Sequence, residues 1–100
     1  MHYLLFYDYV PDYLQRRDEF RTEHLKLAWQ ASERGELVIA GVLDDPVDSA
    51  VLFFNVDSRQ VIEDFVAGDP YVKHGLVKHW HIRKWVTVAG DDAISPVKPE

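Results

Sequence analysis

The order in which two hydrophobic periodicities alternate along the chain is the feature that most restricts its fold. Apolar runs of strand length occupy residues 2–9, 36–43, 49–56 and 78–88. Apolar side chains spaced three or four positions apart occupy residues 14–34 and 57–68. The short runs predict strands and the wider spacing predicts helices. A chain of 100 residues has the size of one domain, and this one predicts the element order β-α-β-β-α-β.

Glycine, proline and small polar residues mark the ends of the predicted helices. Gly35 follows the last position of the first helix, as expected for a C′ residue. That helix would be about 30 Å long, so we expect a break near residues 17–20. Asp57 or Ser58 caps the second helix, and Pro70 forces that helix to end at Asp69. Gly75 ends a single helical turn over residues 70–74.

This element order is that of a ferredoxin-like α+β fold, a four-stranded antiparallel sheet with both helices on one face. The first three strands carry large apolar side chains on both faces, for example Leu4 with Tyr7 and Phe53 with Phe54. Two helices shield only one face, so we expect dimerisation to cover the other, in a homodimer joined sheet to sheet. Residues 1–89 form the predicted domain, and the polar tail over 90–100 is expected to be loosely ordered.

Composition excludes several classes of protein. The formal net charge of −6 argues against a nucleic-acid partner, which would require a basic surface. No apolar run approaches the roughly 20 residues that cross a bilayer, so no membrane association is expected. The N-terminal segment lacks a basic lead and a cleavage site, and the cytoplasm is the expected location. The absence of cysteine excludes a disulfide framework, a thiol nucleophile and thiolate metal sites.

Three motifs combine acid–base residues with turn residues. They are Arg21-x-x-His24-Leu25, Gly35-x-Leu37-x-x-Ala40-Gly41 and Asp69-Pro70-Tyr71-x-x-x-Gly75-Leu76. In this order, and followed by a last strand ending near the aromatic Trp85, they make residues 2–88 resemble the YciI-like (YCII-related) family of small bacterial proteins. The resemblance implies a ferredoxin-like dimer related to the dimeric α+β barrels.

The resemblance also implies that His24 and Asp69 form a catalytic pair, since a histidine and an aspartate are proposed for the family at these positions. One branch of the family eliminates chloride from a chlorinated hydroxyquinol. The chain departs from the family pattern at Val42 and Lys84, where prolines are common, and in the hairpin link over 44–48, where glycines are frequent. These segments border the expected pocket, so the identity of the substrate cannot be taken from other members of the family.

Judged from the residues alone, His24 has two interpretations. It lies on the apolar stripe of the first helix, where a histidine can simply bond a carbonyl at the edge of the core. An imidazole, with an unperturbed pKa of about 6.5, is equally suited to general acid–base catalysis at neutral pH. Arg21 lies one turn earlier on the same face. It would either pair with a neighbouring carboxylate on the surface or hold an anionic group of a substrate.

Asp69 and Tyr71 are open to the same two interpretations. Asp69 can cap the turn that begins at Pro70, or orient the imidazole and stabilise its charged form. The positions of the two residues in the sequence do not show whether Asp69 contacts His24. That contact is implied only by the resemblance to the family. Tyr71 would donate a hydrogen bond to a substrate oxygen, or only pack against a helix.

The remaining histidines do not predict a metal site. His79 and His81 share a face of the last strand, and His74 precedes Gly75, but no carboxylate pattern accompanies them. No phosphate-binding loop or nucleophile elbow is present, so no metal and no cofactor are predicted.

The function predicted from these observations is that of a small cofactor-independent enzyme of the lyase or isomerase type. His24 would move a proton, Asp69 would orient the imidazole, and Arg21 and Tyr71 would bind a small aromatic or enolisable substrate. The alternative is a non-catalytic dimeric module that binds a small metabolite. A haem- or oxygen-using relative of the dimeric α+β barrels is a third possibility.

Overall fold

The computed structural model describes all residues from Met1 to Glu100. Its elements follow the predicted order, including the single helical turn before the last strand. The strands are β1 (His2–Tyr9), β2 (Leu37–Leu43), β3 (Ser49–Asn55) and β4 (Val77–Lys84). The helices are α1 (Tyr13–Glu33), α2 (Arg59–Gly68) and the four-residue α3 (Pro70–Lys73). The predicted α+β, ferredoxin-like fold is confirmed.

The four strands form one antiparallel sheet in the order β2-β3-β1-β4, so β1 and β3 are central. In register, Leu5 of β1 lies between Leu52 of β3 and Ile82 of β4. These three side chains point to the face that the helices cover, and all are buried. Ile62 and Phe65 of α2 complete the same core. The helices therefore lie on one face of the sheet, as predicted.

Helix α1 is continuous over 21 residues, so the expected break near residues 17–20 is wrong. No proline or glycine interrupts the helix, and such residues are the usual causes of a kink. Tyr13 and Ala31 of the helix are buried, and Phe20, Leu27 and Ala28 are partly buried against the same core. The helix ends as predicted at Gly35, which has a φ of +77°. The bonds from Gly35 N to Ser32 O and from Glu36 N to Ala31 O form a Schellman motif.

The junction between α2 and α3 positions Asp69. Ser58 caps the start of α2 by accepting a hydrogen bond from the Gln60 amide. Asp69 has a ψ of 119°, the extended conformation that a following proline imposes, and α2 ends there. Pro70 then starts α3 at the helical position that proline favours. Gly75, with a φ of +76°, ends α3 and directs the chain into β4.

Strand β4 ends at Lys84, four residues before the predicted end at residue 88. Its only partner is β1, and the paired residues of the two strands end with Lys84 opposite Tyr3. The last contact is the bond from Trp85 N to His2 O. The chain then turns back: the amides of Ser95 and Val97 bond to the carbonyls of residues 87 and 88.

The second face of the sheet carries no helix. Leu4 and Phe6 of β1 lie opposite Phe53 and Val51 of β3 on this open face, and all four are half-buried in the single chain. Toward the β2 edge, Leu43 is exposed to 52%. No helix of the chain is long and apolar enough to cross a membrane.

Candidate active site

Asp69 is the centre of a buried hydrogen-bond network. Its side chain is fully buried and accepts three hydrogen bonds. Oδ1 accepts from the backbone amide of Tyr71 at 3.0 Å and lies 2.8 Å from Nδ1 of His24. Oδ2 accepts from the hydroxyl of Tyr7 at 2.8 Å. One carboxylate therefore both caps α3 and contacts the imidazole, the two roles that the sequence left open.

The Asp69 contact fixes the orientation and tautomer of the His24 ring. A carboxylate with three donors around it only accepts hydrogen bonds, so Nδ1 of His24 carries the proton. In the neutral ring the lone pair is then on Nε2. This atom has no protein partner, and the only buried side-chain nitrogen or oxygen without a partner is Nε of Arg17. The basic nitrogen of His24 is thus free and reachable from outside the core.

Tyr7 donates to Asp69 from the central strand β1. Burial, and then the negative charge of Asp69, raise the pKa of the Tyr7 hydroxyl far above its usual value. The hydroxyl therefore keeps its proton at every pH at which the protein would act. Because the Tyr7 hydroxyl is always a donor, it supplies a hydrogen bond to Oδ2 and does not accept the proton of His24. Sequence analysis assigned Tyr7 to the core and missed this role, because the pairing depends on which residue of β1 faces α3.

Aromatic rings hold His24 against the core. The Tyr71 ring stacks on the imidazole at a centroid distance of 3.8 Å and an angle of 8°. Tyr13 meets Tyr71 edge to face at 5.7 Å and stacks on Tyr9 at 3.7 Å. Burial raises the pKa of Tyr71 above its usual value, so its hydroxyl also stays protonated. Tyr71 is only 2% exposed, and its observed contact with the site is the packing of its ring against His24.

A cleft of about 480 Å³ opens in front of His24, between α1 and the helix-covered face of β2 and β3. Its walls are mostly apolar and include Leu25 and Trp29 of α1, Val42 of β2 and Leu52 of β3. Tyr71 and the Tyr9–Tyr13 stack form the end next to the imidazole. The volume and the mostly apolar lining are those of a small-molecule site.

Arg21 lines this cleft on the same face of α1 as His24. It makes no ion pair, so the predicted surface pairing with Asp18 or Glu19 is absent. A second arginine, Arg17, lies one turn further back on the same stripe and also lines the cleft. Sequence analysis did not select Arg17, although its spacing of four from Arg21 and seven from His24 was the available signal.

The other histidines lie away from the cleft. His74 stacks on Phe20 at 4.3 Å, and its carbonyl accepts from Arg16 at 2.7 Å. His81 stacks on Phe6 on the open face, and His79 lies opposite Asp8 on the same face. Nowhere in the chain do three or more His, Asp or Glu side chains form a group that could hold a metal ion.

The chain is thus a small α+β protein with a ferredoxin-like domain. Beside its sheet lies an apolar cleft of ligand size, with a histidine–aspartate pair at one end. The sequence model of the YCII-related domain family matches residues 1–86, so the chain belongs to that family.

Solved structures confirm the fold. The 5-chloro-2-hydroxyhydroquinone dehydrochlorinase of Burkholderia phenoliruptrix, solved with 2,5-dihydroxybenzoquinone, is similar with a TM-score of 0.75 and 21% identity, covering 87% of this chain and 95% of that one. A NIPSNAP family protein from Agrobacterium tumefaciens gives a TM-score of 0.58 at 15% identity, over 93% and 95% of the two chains. A search of curated proteins found no significant match.

Proposed function

We propose that this chain is a small acid–base enzyme of the lyase or isomerase type, with His24 and Asp69 as its catalytic pair. The observation that carries the proposal is the 2.8 Å contact between His24 Nδ1 and Asp69 Oδ1, with the opposite ring nitrogen free at a cleft. A base held by a carboxylate, with its second nitrogen facing a substrate site, is the geometry that general acid–base catalysis requires.

In the proposed reaction, Nε2 of His24 removes a proton from a hydroxyl group or from a carbon beside a carbonyl. Asp69 stabilises the imidazolium that results, because its carboxylate lies against Nδ1. In an elimination, the released electron pair forms a double bond and expels a halide, so that the substrate loses HX. In a tautomerisation, His24 returns the proton to a different atom. Both reactions are redox-neutral and need no redox cofactor.

Arg21 and Tyr71 complete the proposed substrate site. The Arg21 guanidinium has no carboxylate partner and borders the cleft, where it would stabilise negative charge on a phenolate or enolate oxygen. Tyr71 holds the imidazole plane through its stacked ring, and its protonated hydroxyl would donate to a substrate oxygen. The aromatic walls match a flat, ring-bearing substrate.

The structurally similar dehydrochlorinase supplies the first substrate to test. Its name gives 5-chloro-2-hydroxyhydroquinone as substrate, and it was solved with 2,5-dihydroxybenzoquinone. Both are flat rings with acidic hydroxyl groups, as the cleft requires. The experiment is to incubate the wild-type protein with the chlorinated compound and measure chloride release. We expect release by wild type and a loss of roughly 100- to 10,000-fold in the His24→Ala variant.

A matched substitution separates catalysis from simple binding. His24→Gln keeps a polar side chain of similar reach but removes the titratable base, so an enzyme loses turnover and a binding module keeps its ligand affinity. His74→Gln is the control, since His74 stacks on Phe20 and does not line the cleft. Equal chloride release by wild type and His24→Gln would contradict the proposed base. Binding of 2,5-dihydroxybenzoquinone without turnover of any halogenated or enolisable ring would favour the metabolite-binding alternative.

We further propose that the protein acts as a cytoplasmic homodimer on a small molecule, with its open sheet faces packed together. Leu4, Phe6, Val51 and Phe53 form an apolar centre that no element of the chain covers. A two-fold axis brings the same patch of both subunits together, so this centre would pack against its own copy. The cleft lies on the opposite face, so this contact would leave both sites open.

A further inference from the structure

We propose that Arg17 is an anion-binding residue of the cleft, and that the natural ligand is a flat, largely apolar molecule with a carboxylate or similarly compact anionic group. The inference rests on the proposed function only in taking the cleft as the ligand site. It adds a second contact point, distinct from the reacting atoms at His24, and with it a substrate class: small aromatic or conjugated acids.

The Nε–H group of Arg17 has no hydrogen-bond acceptor, although it is buried. This Nε is the one buried side-chain polar atom of the chain without a hydrogen bond. The nearest acid is Asp18, whose Oδ1 lies 3.9 Å from Nε, beyond hydrogen-bond distance. Asp18 is also 87% exposed, so water screens this pair. A buried N–H group without an acceptor is rare. No bond within the protein neutralises the Arg17 guanidinium, and the side chain lines the cleft, so its charge is available to a ligand.

Three of the four arginines other than Arg17 and Arg21 already have acceptors, and Arg83 of β4 lies outside the cleft. Nη2 of Arg16, the neighbour of Arg17, donates to the His74 carbonyl at 2.7 Å and ties α1 to the end of α3. Arg34 pairs with Glu36 at 2.9 Å, and Arg59 pairs with Glu63 at 3.2 Å. Arg17 and Arg21, the two arginines that line the cleft, have no such bond. Both arginines of the cleft are thus without a carboxylate bound to them.

The charge of the cleft is opposite to that of the whole protein. The chain carries a net charge of −6, yet none of the residues lining the cleft is an aspartate or glutamate. Asp69 lies behind His24 and is fully buried, with its oxygens occupied by three donors. Two cations in an apolar, acid-free cavity raise the local concentration of anionic ligands and reject cationic ones.

The fixed position of Arg17 suits it to orient a ligand. Its Cζ lies 5.8 Å from the centre of the Tyr13 ring, a cation–π contact that holds the guanidinium over the aromatic end of the cleft. Arg17, Arg21 and His24 follow one another at four and three positions along α1, so they face the same cavity. A carboxylate bound by the Arg17 fork would leave the ring of the ligand lying along the stripe toward Nε2 of His24.

The experiment compares two probes that differ only in charge, benzoate and benzamide, by titration of amide NMR shifts. We expect wild type to bind benzoate at least roughly tenfold more tightly than benzamide, since charge-assisted bonds are the stronger ones. Arg17→Gln should weaken benzoate binding roughly 10- to 100-fold and leave benzamide nearly unchanged. Arg17→Lys should restore only part of the preference, because an ammonium lacks the planar fork. Arg59→Gln makes the same change of net charge outside the cleft and should bind benzoate as wild type does.

Two results would overturn the inference: no binding of benzoate, or the same benzoate-to-benzamide ratio in wild type and Arg17→Gln. Because Arg17 Nε has no partner in the protein, Arg17→Gln should keep the melting temperature of wild type, and a folded variant can be tested directly. His24→Gln separates this inference from the proposed reaction. It should keep the full preference for benzoate even though it lacks the base, so failed turnover and failed anion binding give different results.

Discussion

The Tyr7 hydroxyl donates a 2.8 Å hydrogen bond to Oδ2 of Asp69, and this bond joins the central strand of the sheet to the residue that orients His24. The two residues are 62 positions apart, and both are inaccessible to solvent. The strand therefore determines where the carboxylate lies, and the carboxylate determines which nitrogen of His24 faces the cleft. Folding of the core and assembly of the site depend on the same bond.

Tyr7→Phe should destabilise the protein by about 1–3 kcal/mol, because it removes the donor from a fully buried carboxylate oxygen and offers no replacement. Urea unfolding followed by fluorescence measures the change. Tyr3→Phe is the control, since Tyr3 lies on the same face of β1 and its hydroxyl makes no side-chain hydrogen bond within the chain. The same loss of stability in both variants would show that the bond to Asp69 contributes nothing specific.

Stability should fall at alkaline pH because of the buried tyrosines. Burial is the first cause that raises the pKa values of Tyr7, Tyr9 and Tyr71 above their usual value, while in the unfolded chain these groups ionise near pH 10. Below pH 10 both states hold these protons, so the stabilisation is fully present. Above pH 10 the unfolded state loses them first, and stability decreases by up to about 1.4 kcal/mol per pH unit for each group.

The measurement is the free energy of unfolding in urea from pH 8 to pH 11.5. Tyr9→Phe removes one of the three groups, so its curve should fall less steeply than that of wild type by about 1.4 kcal/mol per pH unit. Parallel curves for the two proteins would contradict the assignment of the slope to these hydroxyls.

Most of the fold follows from local signals that sequence retains. Gly35, Ser58, Pro70 and Gly75 each impose a backbone conformation on their own neighbourhood, and each ends or begins an element as predicted. The expected break in α1 was an error about a local feature, whereas the early end of β4 depends on a distant partner. The paired residues of β4 end with Lys84 opposite Tyr3 of β1, which no periodicity within residues 78–88 can reveal.

The site was predictable only in part, for the same reason. The residues His24 and Asp69 were selected from motifs, but their contact spans 45 positions, and before the structure it was implied only by the family resemblance. Tyr7 and Arg17 carried no motif at all. Tyr7 was named only as one of the large apolar side chains of the first strands, and Arg17 was not singled out. Their roles became visible through a bond to Asp69 and through an unsatisfied Nε.

Asp69→Asn should separate the structural from the proposed catalytic role of this residue. The amide oxygen can still cap α3 through the Tyr71 amide, but the amide NH2 cannot accept from the Tyr7 hydroxyl, so we expect a stability loss of about 1–3 kcal/mol. The variant lacks the charge that holds Nδ1 protonated, so proton transfer should fall by roughly 100-fold or more. The measurements are chloride release and urea unfolding on the same preparation.

Ser58→Ala is the matched control for this variant. It removes the cap of α2, which accepts from Gln60, and costs about 1 kcal/mol without touching the cleft. If Ser58→Ala lowers chloride release as much as Asp69→Asn does, the loss reflects general destabilisation and not the missing carboxylate.

A charge at the centre of the open face should prevent dimerisation. Val51 lies on β3 opposite Phe6 and points away from the cleft, which is lined instead by its neighbours Ala50 and Leu52. In a sheet-to-sheet dimer, Val51→Glu would bury an unpaired carboxylate near the two-fold axis, a cost of several kcal/mol for each copy. Size-exclusion chromatography with light scattering should then give a dimer for wild type and a monomer for the variant. Asn55→Glu adds the same charge at the end of the strand, where Asn55 is already exposed, and should remain dimeric. A monomeric wild type at micromolar concentration, or a dimer unaffected by Val51→Glu, would contradict pairing through this face.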